Sequence, residues 1–515
     1  MRTRFAPSPT GLLHIGGLRT ALFAWLVAKQ SGAAFTLRIE DTDKTREMAG
    51  ATQDFVNTMT WAGLTIDEGV MLDENGAITE KGPYGPYHQS ARLGLYKEHI
   101  DTLLKSGHAY RCFCTPERLD SMRKDQEKMK QPQMYDRLCH TLQPAEVEKR
   151  VAAGEKHVIR MLVPREKVIT FKDEIYGHIT FRGHTVDDQV LMKSDGFPTY
   201  HLAHVVDDHF MKMDIVIRGE EWISSLPKHL ILFEMFGWTP PKYAHMPLLL
   251  NKDRSKLSKR QNDVAASHYI EKGYLPEAII NFLALLGWNP GTTQDVFTLD
   301  ELIKQFSLER VQKSGAIFDL EKLEWLQGQW MRKMELPVFA ANVLTKIEDK
   351  FPEAKNDSFF LKKAKLVQER LAFFKDAPEH IEFFYKAPDV SIEFITNEKQ
   401  KVTKDLIGPI LNLLFVELSN LSDGNWNYQE IKHFVEKTYS PNHVYAEKLA
   451  NHALEISEGK PSVAPEIEYP PYTKNQILWT LRAALTGRKF SPGAFEVADA
   501  LGKQETLKRL KAVKV

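Results

Sequence analysis

Two stretches of the chain, far apart in sequence, contain residue types that suit phosphate chemistry. Residues 7–17 read PSPTGLLHIGG and lie between a predicted short strand and a helical pattern that starts near Leu18. The prolines end the strand, and the glycines remove side chains where the backbone turns. Free backbone N–H groups at a helix start, together with the helix dipole, favour a bound phosphate. An ordinary strand–turn–helix is the alternative for this stretch.

The second stretch is residues 252–260, KDRSKLSKR, with five basic side chains in nine positions. A cationic loop of this kind could close over a polyphosphate and stabilise the charge that develops on leaving phosphates. A solvated surface turn is the alternative for such a charge run.

Charged side chains also follow two predicted strands, at 34–39 and 214–217. These residues are Glu40, Asp41, Asp43, Arg218, Glu220 and Glu221. Ligands of open parallel sheets bind beyond the carboxyl ends of the strands. Carboxylates beside a phosphate-binding turn suit an ammonium group or a ribose, although a turn that caps the next helix would look the same.

Composition limits the classes of protein to consider. The 515 residues carry 68 Lys+Arg and 68 Asp+Glu, so the chain as a whole is not a basic nucleic-acid binder. Residues 474–515 nevertheless hold nine Lys/Arg against three Asp/Glu, which suits either a solvated helical end or a phosphate-backbone contact. Three clustered cysteines do not resemble a secreted disulfide framework, and no apolar run is long enough to span a membrane. We therefore expect a cytoplasmic protein without a signal peptide.

The order of predicted elements gives the fold class. Strands alternate with helices up to about residue 108, which predicts an α/β protein with a parallel sheet. Short alternating strands and a charged helix at 116–130 then predict an insertion, and the α/β pattern resumes near Val190. After Gln261 the pattern is almost wholly helical.

Together these motifs resemble the paired signatures of class I aminoacyl-tRNA synthetases, and most of all the bacterial-type glutamyl-tRNA synthetase family. Residues 6–17 (APSPTGLLHIGG) and 256–260 (KLSKR) carry the resemblance, supported by 37–43 (LRIEDTD), 216–222 (VIRGEEW) and 481–487 (LRAALTG). The matching motifs are frequent over residues 1–330 and sparser after residue 330. Gly17 stands where many class I enzymes have a second histidine, a departure common in this family.

The resemblance implies a Rossmann-like catalytic domain with an α+β insertion, followed by all-α domains. The implied segments are the catalytic domain in two halves at 1–108 and 190–252, an inserted acceptor-end-binding domain at 109–189, a helical stem-contact domain at 253–327, and a two-part helical anticodon-binding domain at 328–436 and 437–515.

The implied reaction joins glutamate to the 3′ end of tRNA(Glu) through glutamyl-adenylate, with ATP as substrate, Mg²⁺ accompanying it, and tRNA needed for activation. By resemblance the catalytic residues are His14, Lys256 and Lys259. The implied ATP-binding residues are Thr10, Gly11, His14, Gly16, Gly17, Lys256, Leu257, Ser258 and Lys259. The implied glutamate-binding residues are Arg4, Ala6, Ser8, Glu40, Tyr200, His204, Arg218 and Glu221, of which His204 stands where relatives often carry asparagine.

Two guanidinium groups aimed at one carboxylate would also explain the rejection of glutamine, because a neutral amide leaves a buried guanidinium poorly paired.

Relatives of this family can hold zinc in the insertion, and Cys112, Cys114 and Cys139 match three of the ligands. Tyr135 or His140 would be the fourth. Zinc usually has four ligands in a closed structural site. Three reduced thiols without a metal are the alternative.

Several alternatives remain at this stage. A non-discriminating enzyme would also charge tRNA(Gln) with glutamate. A nucleotidyltransferase on the same sheet would make an adenylate without tRNA, and the long helical extension argues against it. A catalytically inactive RNA-binding paralogue would not need the signature histidine and lysines. The expected partners are tRNA(Glu) and L-glutamate, without a membrane, and the expected state is a monomer.

Overall fold

The computed structural model describes residues 1–257, 265–439 and 471–514. The chain divides into two compact units, Met1–Leu326 and Gln327–Val515. No helix in the described part of the chain is both long and apolar enough to cross a membrane. The division of these units into the six predicted segments stays a prediction.

Among the described residues, the strands all lie in the first unit. They are β1 Thr3–Phe5, β2 Phe35–Leu37, β3 Glu68–Leu72, β4 Ile78–Lys81, β5 Ala109–Cys112, β6 Val158–Met161, β7 Val168–Asp173, β8 Gly177–Arg182, β9 Val190–Met192, β10 Ile215–Gly219, β11 Lys242–Met246, β12 Leu249–Leu250 and β13 Ala316–Ile317.

Helices connect these strands and make up most of the remaining structure. Up to residue 333 they are α1 Ile15–Gln30, α2 Ala51–Trp61, α3 Leu93–Lys105, α4 Pro116–Lys128, α5 Pro144–Ala152, α6 Tyr200–Phe210, α7 Leu226–Met235, α8 Ala266–Glu271, α9 Pro276–Leu285, α10 Leu299–Gln305 and α11 Leu320–Lys333. The later helices are α12 Leu336–Ile347, α13 Phe360–Gln368, α14 Ala377–Tyr385, α15 Ile392–Ile395, α16 Lys404–Ser419, α17 Tyr428–Lys437, α18 Lys474–Thr486, α19 Ala494–Leu501 and α20 Lys503–Ala512.

The chain starts with the predicted parallel α/β arrangement. Strands β1, β2 and β3 pair in parallel, and β4 adds an antiparallel edge. Helix α1 crosses from β1 to β2 and is buried along most of its length, because its apolar residues Leu18, Leu22 and Leu26 recur at helical spacing. The α/β fold class is confirmed.

The second half of the catalytic sheet pairs β10 with β11 in parallel. It adjoins β1, since the carbonyl oxygen of Arg2 accepts a hydrogen bond from the backbone N–H of Asp214 at 3.0 Å. The insertion contributes directly to this sheet: the hairpin of β7 and β8 adds to the edge of β11 through the pair Tyr243 and Asp173. A second antiparallel sheet, of β5, β6 and β9, belongs to the inserted region.

The region after β12 is not purely helical, because β13 returns to pair with β12 in parallel. A two-residue strand has no periodicity of its own, which is why the sequence pattern missed it. In the second unit all regular elements of the described residues are helices. The sequence pattern also predicts a helix at 445–457, a range that lies outside the described residues.

Candidate active site

The turn between β1 and α1 holds the first signature. His14 is the N-cap of α1, and its Nδ1 atom accepts a hydrogen bond from the backbone N–H of Gly16 at 2.9 Å. Asp54 on α2 fixes the turn from the other side by accepting the N–H of Leu13 at 2.7 Å. The turn therefore holds backbone donors and a histidine at the start of a long buried helix, which is where phosphates bind.

The second signature flanks the same turn. The N–H of Leu257 donates to the carbonyl of Leu249 at 2.9 Å, and Lys256 bridges to Leu250. Beyond it, Ala265 pairs with His14. Both ends of the segment 258–264 are thus anchored beside the first signature, while Ser258, Lys259 and Arg260 lie outside the described residues.

A cavity of about 310 Å³ lies where the two signatures meet. It is lined by His14, Gly16, Gly17, Arg19, Thr20, Gly219, Glu221, Met246, Pro247, Leu248, Leu249, Lys256 and Leu257. The structure thus brings together most of the predicted ATP-binding residues of the described region. Thr10 is exposed and, with Gly11, does not line this cavity.

A buried charge network lies at the carboxyl end of β1 and β2. Arg4 Nε donates to Asp208 Oδ1 at 3.2 Å, and Arg38 donates to Asp208 at 2.7 Å and to Glu40 at 3.0 Å. Burial works to raise the pKa of Asp208, but the charges of Arg4 and Arg38 hold it well below its ordinary value. Burial raises the pKa of Glu40, despite the opposing charge of Arg38.

Arg218, at the end of β10, lies in a different environment. Its NH1 donates to the Tyr200 hydroxyl at 3.0 Å and its Nε to His245 Nε2 at 3.1 Å. Burial raises the pKa of Tyr200, on which the charges of Arg218, Glu40 and Arg4 also act. These predicted glutamate-binding residues therefore occupy one neighbourhood.

Three other predicted glutamate-binding residues, His204, Ser8 and Ala6, differ in how deeply they are buried. His204 is fully buried, stacks on the Tyr200 ring at 5.2 Å between centroids, and places its Nδ1 2.8 Å from Asp208 Oδ2. Ser8 is exposed and Ala6 is half-buried. The roles of all these residues stay predictions.

Comparison with known proteins decides the family. Residues 1–325 match the family model "tRNA synthetases class I (E and Q), catalytic domain", and residues 326–452 and 471–514 match "Anticodon binding domain". A protein of Clostridioides difficile named glutamate–tRNA ligase is 43% identical over 521 residues, 100% of this chain and 99% of that protein. The chain belongs to the glutamate–tRNA ligase family.

Other relatives agree. A glutamate–tRNA ligase of Finegoldia magna is 41% identical over 522 residues, 99% of this chain and 98% of that protein. A crystal structure of a glutamate tRNA ligase from Elizabethkingia meningosepticum, in complex with its amino acid, has a TM-score of 0.80 and 34% identity over 99% of each chain. The comparisons do not support the alternative of an enzyme that also charges tRNA(Gln).

The cysteines of this glutamate–tRNA ligase family member form one cluster. The sulfur atoms of Cys112, Cys114 and Cys139 lie within 4.8 Å of one another. The Tyr135 hydroxyl lies 3.2 Å from Cys114 Sγ, whereas His140 is exposed and its ring lies 5.1 Å from the Tyr110 ring. Of the two predicted fourth ligands, Tyr135 is the one within the cluster.

Sequence reasoning did not single out the residues that support the predicted site. Arg38, Asp173 and His245 are buried, and each contacts a predicted site residue or its partner. A signal was available at Arg38, because an arginine inside an apolar strand needs a buried counter-charge. Asp173 and His245 had no comparable signal.

Proposed function

We propose that this chain is a glutamate–tRNA ligase. It activates L-glutamate with ATP to glutamyl-adenylate and transfers glutamate to the 3′ end of tRNA(Glu), releasing AMP and diphosphate. The observation that carries the proposal is the meeting of both signatures at one cavity, beside a buried arginine that lacks a carboxylate partner among the described residues.

In the first step a carboxylate oxygen of glutamate attacks the α-phosphorus of ATP. The bond to the bridging oxygen of the β-phosphate breaks, and diphosphate leaves with that electron pair. His14 and the backbone of Gly16 and Gly17 position the phosphates, and Lys256 and Lys259 neutralise the developing charge. Mg²⁺ would share that neutralisation.

Glutamate selection depends on its side-chain carboxylate in this proposal. Arg4 is already paired with Asp208, so we assign the main contact to Arg218, whose terminal nitrogens can bind a carboxylate in a bidentate manner. Glu40 binds the substrate ammonium group. The inserted segment 109–189 meets the acceptor end of the tRNA, and the second unit, which matches an anticodon-binding domain, meets the anticodon.

ATP–pyrophosphate exchange tests the proposal. We expect exchange with glutamate when tRNA is present, and little exchange with glutamine. Exchange that is equally fast with glutamine, or the absence of exchange under every condition, would contradict the proposed function.

Replacing Arg218 tests the assignment within the pocket. Arg218→Ala should raise the KM for glutamate by about tenfold or more, because a charge-assisted hydrogen bond contributes about 1.5–3 kcal/mol. Lys97→Ala is the matched control, since it removes one exposed positive charge on α3 from a residue that does not line the cavity. Unchanged steady-state kinetics in Arg218→Ala would remove this residue from the pocket.

We also propose a structural zinc ion held by Cys112, Cys114, Cys139 and Tyr135. Sulfurs bound to one zinc ion lie about 3.8 Å apart, since each is about 2.3 Å from the metal. The Cys114 and Cys139 sulfurs lie 3.5 Å apart, and all three sulfurs lie within 4.8 Å of one another, which is near this spacing. The ion would fix the fold of the insertion and take no part in the reaction.

Metal analysis of the purified protein tests the zinc site. We expect about one zinc per chain, a lower content in Tyr135→Phe, and an unchanged content in His140→Ala. A wild-type content well below one per chain would contradict the site.

A further inference from the structure

Arg218 differs from the other buried arginines near the site in the groups that hold it. Arg4 and Arg38 are paired with the carboxylates of Asp208 and Glu40. Among the described residues the hydrogen-bond partners of Arg218 are neutral: His245 Nε2, the Tyr200 hydroxyl, His229 Nδ1 and the Trp222 carbonyl. Arg218 is only 5% exposed, so bulk solvent screens its charge weakly.

The tautomer of His245 follows from its second contact. Its Nδ1 lies 2.6 Å from Asp173 Oδ2, and since an ionised carboxylate only accepts, Nδ1 carries the proton. Nε2 of the neutral ring then has a free lone pair and accepts the Nε–H of Arg218 at 3.1 Å. Burial lowers the pKa of His245, against the opposing hydrogen bond to Asp173, which favours this neutral form.

Asp173 is itself fixed by the backbone. Its Oδ1 accepts the N–H of Tyr176 at 2.9 Å and of Ile175 at 3.0 Å. Burial works to raise the pKa of Asp173, but the hydrogen bonds from His245 and Tyr176 outweigh it and hold the pKa below its ordinary value. The carboxylate therefore stays ionised, and it can fix only one orientation of the His245 ring.

Two further histidines, His229 and His201, lie on the other side of Arg218. His229 Nδ1 lies 3.4 Å from both terminal nitrogens of Arg218, and His229 Nε2 lies 3.0 Å from His201 Nδ1. These 3.4 Å contacts are longer than a good hydrogen bond. The terminal nitrogens can therefore donate instead to a better acceptor, whereas the Nε–H stays hydrogen-bonded to His245.

We propose that Asp173 and His245 are positioning residues for substrate selection: they fix the guanidinium of Arg218 through a neutral acceptor, so that its full positive charge remains for the side-chain carboxylate of the amino-acid substrate. This inference rests on the proposed function, in which Arg218 binds glutamate. A carboxylate in the place of His245 would orient Arg218 equally well but would neutralise it, and a neutral amide would then be a better competitor.

The origin of Asp173 gives the insertion a part in the amino-acid pocket. Asp173 is the last residue of β7, and it reaches His245 because it pairs with Tyr243 on β11. The neighbouring strands β10 and β11, both in the second half of the sheet, supply Arg218 and His245, but the group that sets the histidine tautomer comes from the inserted hairpin. Selection of the substrate therefore depends on the insertion being folded against the sheet.

Three variants test the inference in ATP–pyrophosphate exchange with tRNA present. His245→Leu removes the acceptor and should raise the KM for glutamate by about tenfold with a smaller change in kcat, and should lower the preference for glutamate over glutamine. His245→Gln keeps an amide oxygen that can reach the Nε2 position and should restore most of both values. Asp173→Asn should resemble His245→Leu. The amide oxygen would keep the backbone N–H groups, so the amide N–H would face Nδ1 of His245. The ring proton would then lie on Nε2, which would face the Nε–H of Arg218 as a second donor.

The control variant is Lys97→Ala, at an exposed position of α3, and urea unfolding of each protein measures its stability. If His245→Leu has the wild-type KM and glutamine rejection, the inference is wrong. It is equally wrong if His245→Leu raises KM, lowers kcat by a similar factor and loses stability, and His245→Gln restores none of these values, since that pattern shows a structural role only. If the wild-type protein itself fails to activate glutamate, the proposed function fails instead.

Discussion

At the scale of single residues, the candidate site depends on buried charges that are held in balance. Arg38 is fully buried, and Asp208, Glu40 and Asp207 surround its guanidinium at 2.7, 3.0 and 3.7 Å. Burial works to lower the pKa of Arg38, but these carboxylates raise it well above its ordinary value. Each charge of the network is therefore tolerated only because the others are present.

Removing Arg38 should be strongly destabilising. We expect Arg38→Met to lower the free energy of unfolding by roughly 3–5 kcal/mol, because it leaves carboxylates buried without a partner. Urea unfolding followed by tryptophan fluorescence measures this loss.

The matched control is Arg46→Met, which breaks an exposed ion pair with Asp43 at 2.6 Å. Its cost should be a small fraction of that of Arg38→Met, because solvent screens an exposed ion pair. A similar small cost for Arg38→Met would show that the buried network does not stabilise the fold.

At the scale of elements, the close approach of β2 and β3 requires a glycine. Gly69 has a φ of 106°, in the region that favours glycine, and an added Cβ would collide with the carbonyl oxygen of Leu37 on the neighbouring strand. The parallel pairing that places β2, and with it Glu40, thus depends on a missing side chain.

Gly69→Ala should therefore lower the free energy of unfolding by about 3 kcal/mol or more, from backbone strain and the collision together. Gly94→Ala on α3 is the control, since nothing lies within 4 Å of the added Cβ. It should leave stability unchanged or raise it by about 0.5–1 kcal/mol. Equal midpoints of urea unfolding for the two variants would contradict this account of β3.

At the scale of the whole molecule, buried histidines make stability depend on pH. Burial lowers the pKa of His201 from 6.5 to about 3 and that of His204 from 6.5 to about 4, and it lowers the pKa of His229 well below its ordinary value. Below about pH 6.5 the unfolded chain binds protons at these positions and the folded chain does not. Their contribution to stability is thus fully present above pH 6.5 and is lost as the pH falls towards 4.

Urea unfolding between pH 7.5 and 4.5 should show this loss. Each such histidine contributes a slope of up to about 1.4 kcal/mol per pH unit. His204→Asn removes one of these buried titrating groups and should reduce the slope by up to about 1.4 kcal/mol per pH unit. A wild-type stability that is flat over this range would mean that the three histidines titrate alike in both states.

Much of the local structure was predictable from neighbouring residues. The helical pattern that starts near Leu18 belongs to α1, which ends at Gln30 shortly before Gly32, and the charged helix predicted at 116–130 is α4. These predictions succeed because helical periodicity and a glycine at positive φ act within a few residues of each other. The monomeric state and the roles of the site residues stay predictions.

The sequence by itself determined the family, the α/β fold class, and the residues of both signatures, because each is encoded in a short run or in local periodicity. Only the tertiary structure decided the partners of the charged groups. Arg38 meets Asp208 across 170 positions, and Asp173 meets His245 across 72. Such pairs carry no local pattern: a charge in sequence shows that a partner is needed, and burial in the folded chain selects which one it is.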